Sequence, residues 1–234
     1  MLAEFEEIIF GISTKKDGLM KLANQKDDQA TKNRQNFFSS QGIDNSKVVS
    51  AALANAFEVK IVELKDAGKM IPLVDALVTN QIGLVLAITV ADCAPVYIYD
   101  PIQKVIALVH AGWRGVLGNI VTKTILLMKT NFFSKPENLQ VFVGPHICAN
   151  HFEVQDDVAK MFTSYEKYII QQKEKIFIDL ASIISSQLLN IGVLSNQVSF
   201  SKDCTYCEEK KYFSWRRDKP EKVEAMVVYL MMKH

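Results

Sequence analysis

The chain has 234 residues, 49% of them apolar, and its 27 Lys and Arg against 26 Asp and Glu leave a formal charge of +1. That apolar fraction is ample for a buried core and excludes a disordered chain, while the near-zero charge lacks the basic field that holds proteins on nucleic acid or an anionic membrane. The longest apolar run, 225–232, is far short of the roughly 20 residues a membrane-spanning helix needs.

The start, Met1-Leu2-Ala3-Glu4-Phe5-Glu6-Glu7, is acidic where a secretory signal would be basic, so the expected location is the cytosol. The thiols Cys93, Cys148, Cys204 and Cys207 are then expected to be reduced and available as nucleophiles or metal ligands, or simply as small buried apolar residues. With no repeat, low-complexity tract or proline-rich linker, one domain is expected.

In chain order, the polar stretch 15–36 predicts a surface loop that runs into a short helix over 31–40. Short apolar runs predict strands at 59–63, 84–90, 96–99, 105–110, 139–143, 197–199 and 225–230. Several lack polar alternation, which predicts a sheet covered on both faces. Leu117, Ile120, Val121, Ile125 and Met128 mark one face of a helix over 115–130. Val158, Met161, Phe162, Tyr165 and Ile169 predict a second helix, and a third starts at an Asp179 cap and stops at Gly192. The elements interleave without a regular βαβ rhythm, which favours a layered α+β fold over a doubly wound sheet.

Three segments place reactive groups at the ends of apolar strands. Asp92-Cys93-Ala94-Pro95 follows the 84–90 run and presents a thiol where Pro95 interrupts simple continuation of the ladder. His110-Ala111-Gly112-Trp113-Arg114-Gly115 precedes a helix, and its glycines, helix-start N–H groups and Arg114 suit an anion. If the two flanking strands are neighbours, Cys93 and His110 converge, either as metal donors or as a nucleophile and its base. Gly144-Pro145-His146-Ile147-Cys148 ends a third strand, and His146 and Cys148 either line the same pocket or sit in a turn satisfied by backbone. His151-x-Glu153 with Cys204-x-x-Cys207 superficially repeats the zinc pattern of nucleobase deaminases, with Asp203 where that pattern has proline.

These blocks, in order and spacing, resemble the laccase-domain family of multicopper polyphenol oxidases, also described as zinc-dependent purine nucleoside phosphorylases. The likeness rests on Ala91-Asp92-Cys93-Ala94-Pro95-Val96, on 110–115, and on Gly144-Pro145-x-Ile147 followed by Phe152-Glu153-Val154. Gly11-Ile12-Ser13-Thr14-Lys15, Asn33-Arg34, Asp75-Ala76-Leu77-Val78-Thr79, Cys204-Thr205-Tyr206 and 212–218 add to it. The resemblance implies an α+β fold with a central mixed β-sandwich flanked by helices, similar to cysteine hydrolases. It also implies one zinc held by His, Cys and His, with the cysteine at Cys93, the second histidine at His110 and the first falling on Asn55. A carboxamide is a poor zinc donor beside imidazole or thiolate. Glu221-Lys222 replaces a Gly-Arg pair common in the family, and the loop after Thr14 is shortened.

The activity implied is phosphorolysis of adenosine or inosine, with adenosine deamination as a side activity. Cys93 and His110 would be catalytic, and Arg114, Asn33 and Arg34 would bind phosphate or substrate. The expected partners are a nucleoside and phosphate, with neither nucleic acid nor membrane, in a monomer or homodimer. Copper-dependent phenol oxidation is the older alternative, but His110, His146, His151 and His234 are too few for a multicopper cluster. A metal-depleted relic, or a hydrolase acting on peptidoglycan precursors, are further alternatives.

Overall fold

The computed structural model describes residues 2–21, 28–53 and 57–233. In chain order it contains β1 (Ile8–Ile12), α1 (Asp28–Ser40), β2 (Val48–Ala52), β3 (Val59–Ile61), β4 (Met70–Pro72), β5 (Ala76–Thr79), β6 (Val85–Val90), β7 (Ala94–Asp100) and β8 (Val105–Ala111). After these come α2 (Trp113–Leu117), α3 (Ile120–Phe132), β9 (Gln140–Val143), β10 (Glu153–Val154), α4 (Asp156–Met161), β11 (Ile169–Gln172), β12 (Lys175–Ile178), α5 (Leu180–Asn190), β13 (Val198–Phe200), α6 (Trp215–Asp218) and β14 (Met226–Met232).

Two mixed sheets stack face to face, one ordered β1-β14-β6-β2-β4 and the other β13-β9-β7-β8-β5-β3. Period-two geometry explains why β7 and β8 read as unbroken apolar runs. Tyr97, Tyr99, Ile106 and Leu108 enter the layer between the sheets, where they join Leu86, Ile88, Val228 and Leu230. Val96, Ile98, Ala107 and Val109 point the other way, onto Val116, Val121, Ile125, Ile183 and Leu188 of the helices. On the outer face of the first sheet, Phe37 and Phe38 of α1 cover Val48, Val85, Val227 and Tyr229. The expected helix-flanked β-sandwich is therefore the observed architecture, with a small sheet β10-β12-β11 beside it.

Local chemistry shifts several boundaries. The helix expected over 115–130 is two helices, because Gly118 and the left-handed Asn119 (φ 55°) interrupt it. The second expected helix ends at Met161; Tyr165 leaves helical geometry, and Ile169 pairs with Ile178 in a hairpin. The third is α5, whose Asp179 cap accepts from Ser182 N at 3.0 Å and whose exit is Gly192 at φ 103°. Pro95 lies inside β7, opposite His110. The chain break that presents the thiol is the bend over 91–93, where β6 leaves one sheet and β7 enters the other. Among the described residues, no helix is long and apolar enough to cross a membrane.

Candidate active site and a separate metal-ligand cluster

Sheet register brings three residues together. Antiparallel β7 and β8 pair Ala94 with Ala111, so Cys93 emerges one residue beyond the end of the ladder, beside His110. Antiparallel β5 and β8 pair Ala76 with Val109, so Asp75 flanks the same end from the other side, and His110 N donates to Asp75 O at 2.8 Å. His110 Nδ1 is 3.4 Å from Asp75 Oδ1, with both side chains buried. Asp75 Oδ2 in turn accepts from Phe57 N at 3.1 Å. With Asp75 on the Nδ1 side, the Cys93 sulfur is the other group that acts electrostatically on the ring.

Gly112 marks where the two groups meet. A Cβ at this position would lie 3.0 Å from Cys93 Sγ, 3.3 Å from His110 Cε1 and 3.8 Å from His110 Nε2. Burial works against a charged His110, yet the neighbouring Cys93 and Asp75 outweigh it and push its pKa up to about 9. The expected convergence of Cys93 and His110 is thus present, in a Cys-His-Asp arrangement whose third member sequence reasoning missed. The available signal was Asp75 itself, an acid at the head of the wholly buried strand 76–79.

Asp92 fixes the bend that carries Cys93. It is buried, sits at φ 80°, and its carboxylate accepts from Thr205 Oγ1 at 2.6 Å, Ser214 Oγ at 3.0 Å and Arg216 N at 2.7 Å. Its carbonyl accepts from Ile147 N at 3.0 Å. These bonds stabilise a non-glycine residue in left-handed backbone, a conformation that carries strain.

The other sequence candidates lie in different settings. Arg114 is exposed on α2, its guanidinium 4.1 Å over the Trp113 ring. Arg34 is buried, donates to Met20 O and Ser50 Oγ, and has its pKa lowered to about 10 by burial. With Ser50 it lines two neighbouring cavities of about 570 and 160 Å³, neither of which has Cys93 or His110 in its lining. Asn33 pins the adjacent loop by donating to Leu19 O. Asn55 lies outside the described residues. His146 does not join Cys93; its Nδ1 bonds Gly144 O at 2.8 Å.

Cys148 belongs to a second constellation. The ligand atoms of Cys148, His151, Cys204 and Cys207 all lie within 4.8 Å of one another. This group is capable of holding a metal ion. Burial pushes the Cys148 thiol up to about 12, whereas the N–H groups of Cys148 and Cys207 aimed at the Cys204 sulfur overcome its burial and lower its pKa. The deaminase pattern read from His151, Glu153, Cys204 and Cys207 is not what forms. Cys148 supplies the fourth donor, and Glu153 is paired with Lys175 Nζ at 2.8 Å.

A family profile described as multi-copper polyphenol oxidoreductase laccase matches residues 9–233. The chain belongs to this laccase-domain family. A purine nucleoside phosphorylase of Bacteroides thetaiotaomicron is 39% identical over 62% of this chain and 56% of its own length. Adenosine deaminase RL5, from an unknown prokaryotic organism, is 33% identical over 62% of this chain and 57% of its own. The matched stretch therefore spans little more than half of these relatives. In structure, the Bacillus licheniformis protein YfiH superposes with a TM-score of 0.92 at 25% identity, covering 98% of this chain and 94% of that one.

Neither the zinc nor the copper that the family resemblance implies finds a full donor set at the first site among the described residues. Catalytic zinc takes three strong protein donors, and the Cys93 and His110 pair offers two. Asp75 engages the imidazole on its far side, and among the described residues no third His, Cys, Asp or Glu donor joins the pair. The three described histidines stand apart, His110 on Asp75, His146 on Gly144 O and His151 in the cysteine cluster. No multicopper centre can be assembled from them.

Proposed function

We propose that this chain cleaves purine nucleosides by phosphorolysis at the Cys93, His110 and Asp75 site. The observation that carries the reading is the buried His110, 3.4 Å from Asp75 Oδ1 and packed beside the Cys93 sulfur, two neighbours that push its pKa up to about 9 and so favour the imidazolium at neutral pH. Such a group is a general acid, which is what expulsion of a purine base requires. The curated relative named a purine nucleoside phosphorylase supplies the substrate class.

The steps follow from the residues in place. An oxygen of phosphate attacks ribose C1′, the C1′–N9 bond breaks with its electron pair passing to the purine, and the purine takes the proton held at His110 Nε2. Ribose 1-phosphate and the free base leave, and His110 regains a proton from solvent. Asp75 keeps the ring oriented and stabilises its charge through Nδ1, and the Cys93 sulfur packs with the ring above Gly112, adding to the field that favours the charged form. Arg114, three residues beyond Ala111 at the end of β8, is the residue assigned to phosphate, with its planar fork suited to two oxygens. No step is routed through a metal.

Deamination is a second reading, favoured by the relative named an adenosine deaminase. Incubation with adenosine, with and without phosphate, separates the two. Phosphorolysis gives adenine and ribose 1-phosphate only when phosphate is present; inosine and ammonia in either condition indicate deamination. Absence of all four products identifies a relic that keeps the pocket without turnover.

A further inference from the structure

We propose that Cys148, His151, Cys204 and Cys207 bind one structural zinc ion, distinct from the Cys93 and His110 site, that locks the bend presenting Cys93. The donors come as two chelating pairs, Cys148-x-x-His151 and Cys204-x-x-Cys207, each on a tight turn. Both turns leave the same end of the second sheet, because the preceding strands β9 and β13 are parallel neighbours. Backbone bonding brings them closer: His146 bridges to Cys204, Thr205 N donates to His146 O at 3.1 Å, and Cys148 N donates to Cys204 Sγ at 3.2 Å.

Distances fit a tetrahedral ion. Zinc takes sulfur at about 2.3 Å and imidazole nitrogen at about 2.0–2.1 Å, so a tetrahedron has sulfur-to-nitrogen edges of about 3.6 Å. His151 Nδ1 stands 3.1 Å from Cys148 Sγ, 3.5 Å from Cys207 Sγ and 4.0 Å from Cys204 Sγ, values that bracket that edge. The imidazole is already oriented, stacked on Tyr206 at 4.1 Å between ring centroids with 12° between planes. Three thiolates and one imidazole select zinc over hard cations. Four protein donors leave no open position, which makes the site structural.

Its consequence for the active site runs through Thr205. This residue lies between the two cysteines of one chelating pair, and its hydroxyl holds the Asp92 carboxylate at 2.6 Å. Arg217 Nη1 grips the carbonyls of Thr205 and Tyr206, at 2.8 and 2.7 Å, and Arg216 Nη1 donates to Glu153 O just beyond His151. Zinc thus closes the loop of chain between 148 and 207 and immobilises the partner of the residue next to Cys93.

The test is zinc content by elemental mass spectrometry, on full-length untagged protein produced in zinc-supplemented medium and desalted without chelator, for the parent, Cys93→Ala, Cys204→Ser and His151→Cys. The proposal requires one zinc per chain in the parent, Cys93→Ala and His151→Cys, and loss of most of it in Cys204→Ser. Should Cys204→Ser fail to fold, thiol labelling of the native parent decides. Cys148, Cys204 and Cys207 must be protected before chelation and reactive after it, and chelation must lower the melting temperature by at least about 5 °C. Metal-free parent, zinc lost from Cys93→Ala but kept in Cys204→Ser, or a disulfide among the three cysteines overturns it.

Discussion

His110 Nδ1 and Asp75 Oδ1 face each other at 3.4 Å inside the protein, the imidazole on β8 and the carboxylate at the head of β5. Together with the neighbouring Cys93, the pairing outweighs the burial that would keep this histidine neutral, and it leads to a pH prediction with a definite sign. The folded pKa, about 9, lies above the ordinary 6.5. The stabilisation is therefore fully present below pH 6.5 and is lost as pH rises through about 9. Its full size is on the order of 3 kcal/mol. Denaturant melts at pH 6 and pH 9.5 should show this decline in the parent and a smaller one in His110→Gln.

Asp75→Asn removes the charge and keeps the shape. The pH above which turnover falls should move down by at least about one unit, and kcat should drop on the order of 10- to 100-fold. A pH-rate profile of the variant checks both.

Gly112→Ala adds one carbon where Cys93 Sγ and His110 Cε1 already stand 3.0 and 3.3 Å away. The backbone there, at φ −72°, tolerates alanine, so the penalty is displacement of the sulfur and ring. The expected result is a loss of activity of more than about 10-fold, with an overpacking cost of about 1–3 kcal/mol at most. Kinetics and a denaturant melt on the same sample separate the two effects.

Asp92→Ala strips the acceptor from Thr205, Ser214 and Arg216 and leaves a left-handed backbone unsupported. Leaving these buried donors without their acceptor should cost at least about 1–3 kcal/mol. Asp92→Asn should recover part of that, because the amide oxygen still accepts; urea midpoints of the two variants measure it.

The sequence made part of the sandwich legible, chiefly its long unbroken apolar strands, while β2 and β5, buried but short, were missed. The run 105–110 is β8 within one residue, and 84–90 overlaps β6 closely, since continuous apolar stretches bounded by turns are a strong signal. Edge elements such as β4 (Met70–Pro72) and β10 (Glu153–Val154) were missed, being two or three residues long and set by pairing partners distant in the chain. The convergence of Cys93 and His110 was legible because each sits at the end of an apolar strand, two residues before a proline or a glycine. The placement of Asp75 beside them was not, because a buried acid at a strand head is only a weak local signal and its meeting with His110 depends on the β5–β8 register. Cys148 was separated from Cys204 for the same reason: the parallel pairing of β9 with β13 spans more than 50 residues of intervening chain.

The most direct measurement is kcat/KM for phosphate-dependent release of adenine from adenosine by the parent, Cys93→Ala and His110→Gln, each verified as folded. Equimolar adenine and ribose 1-phosphate are expected from the parent, with a fall on the order of 100-fold or more in His110→Gln, the size expected for a lost general acid. Turnover in His110→Gln equal to that of the parent, or no phosphate-dependent product from the parent at all, would contradict the proposed reaction.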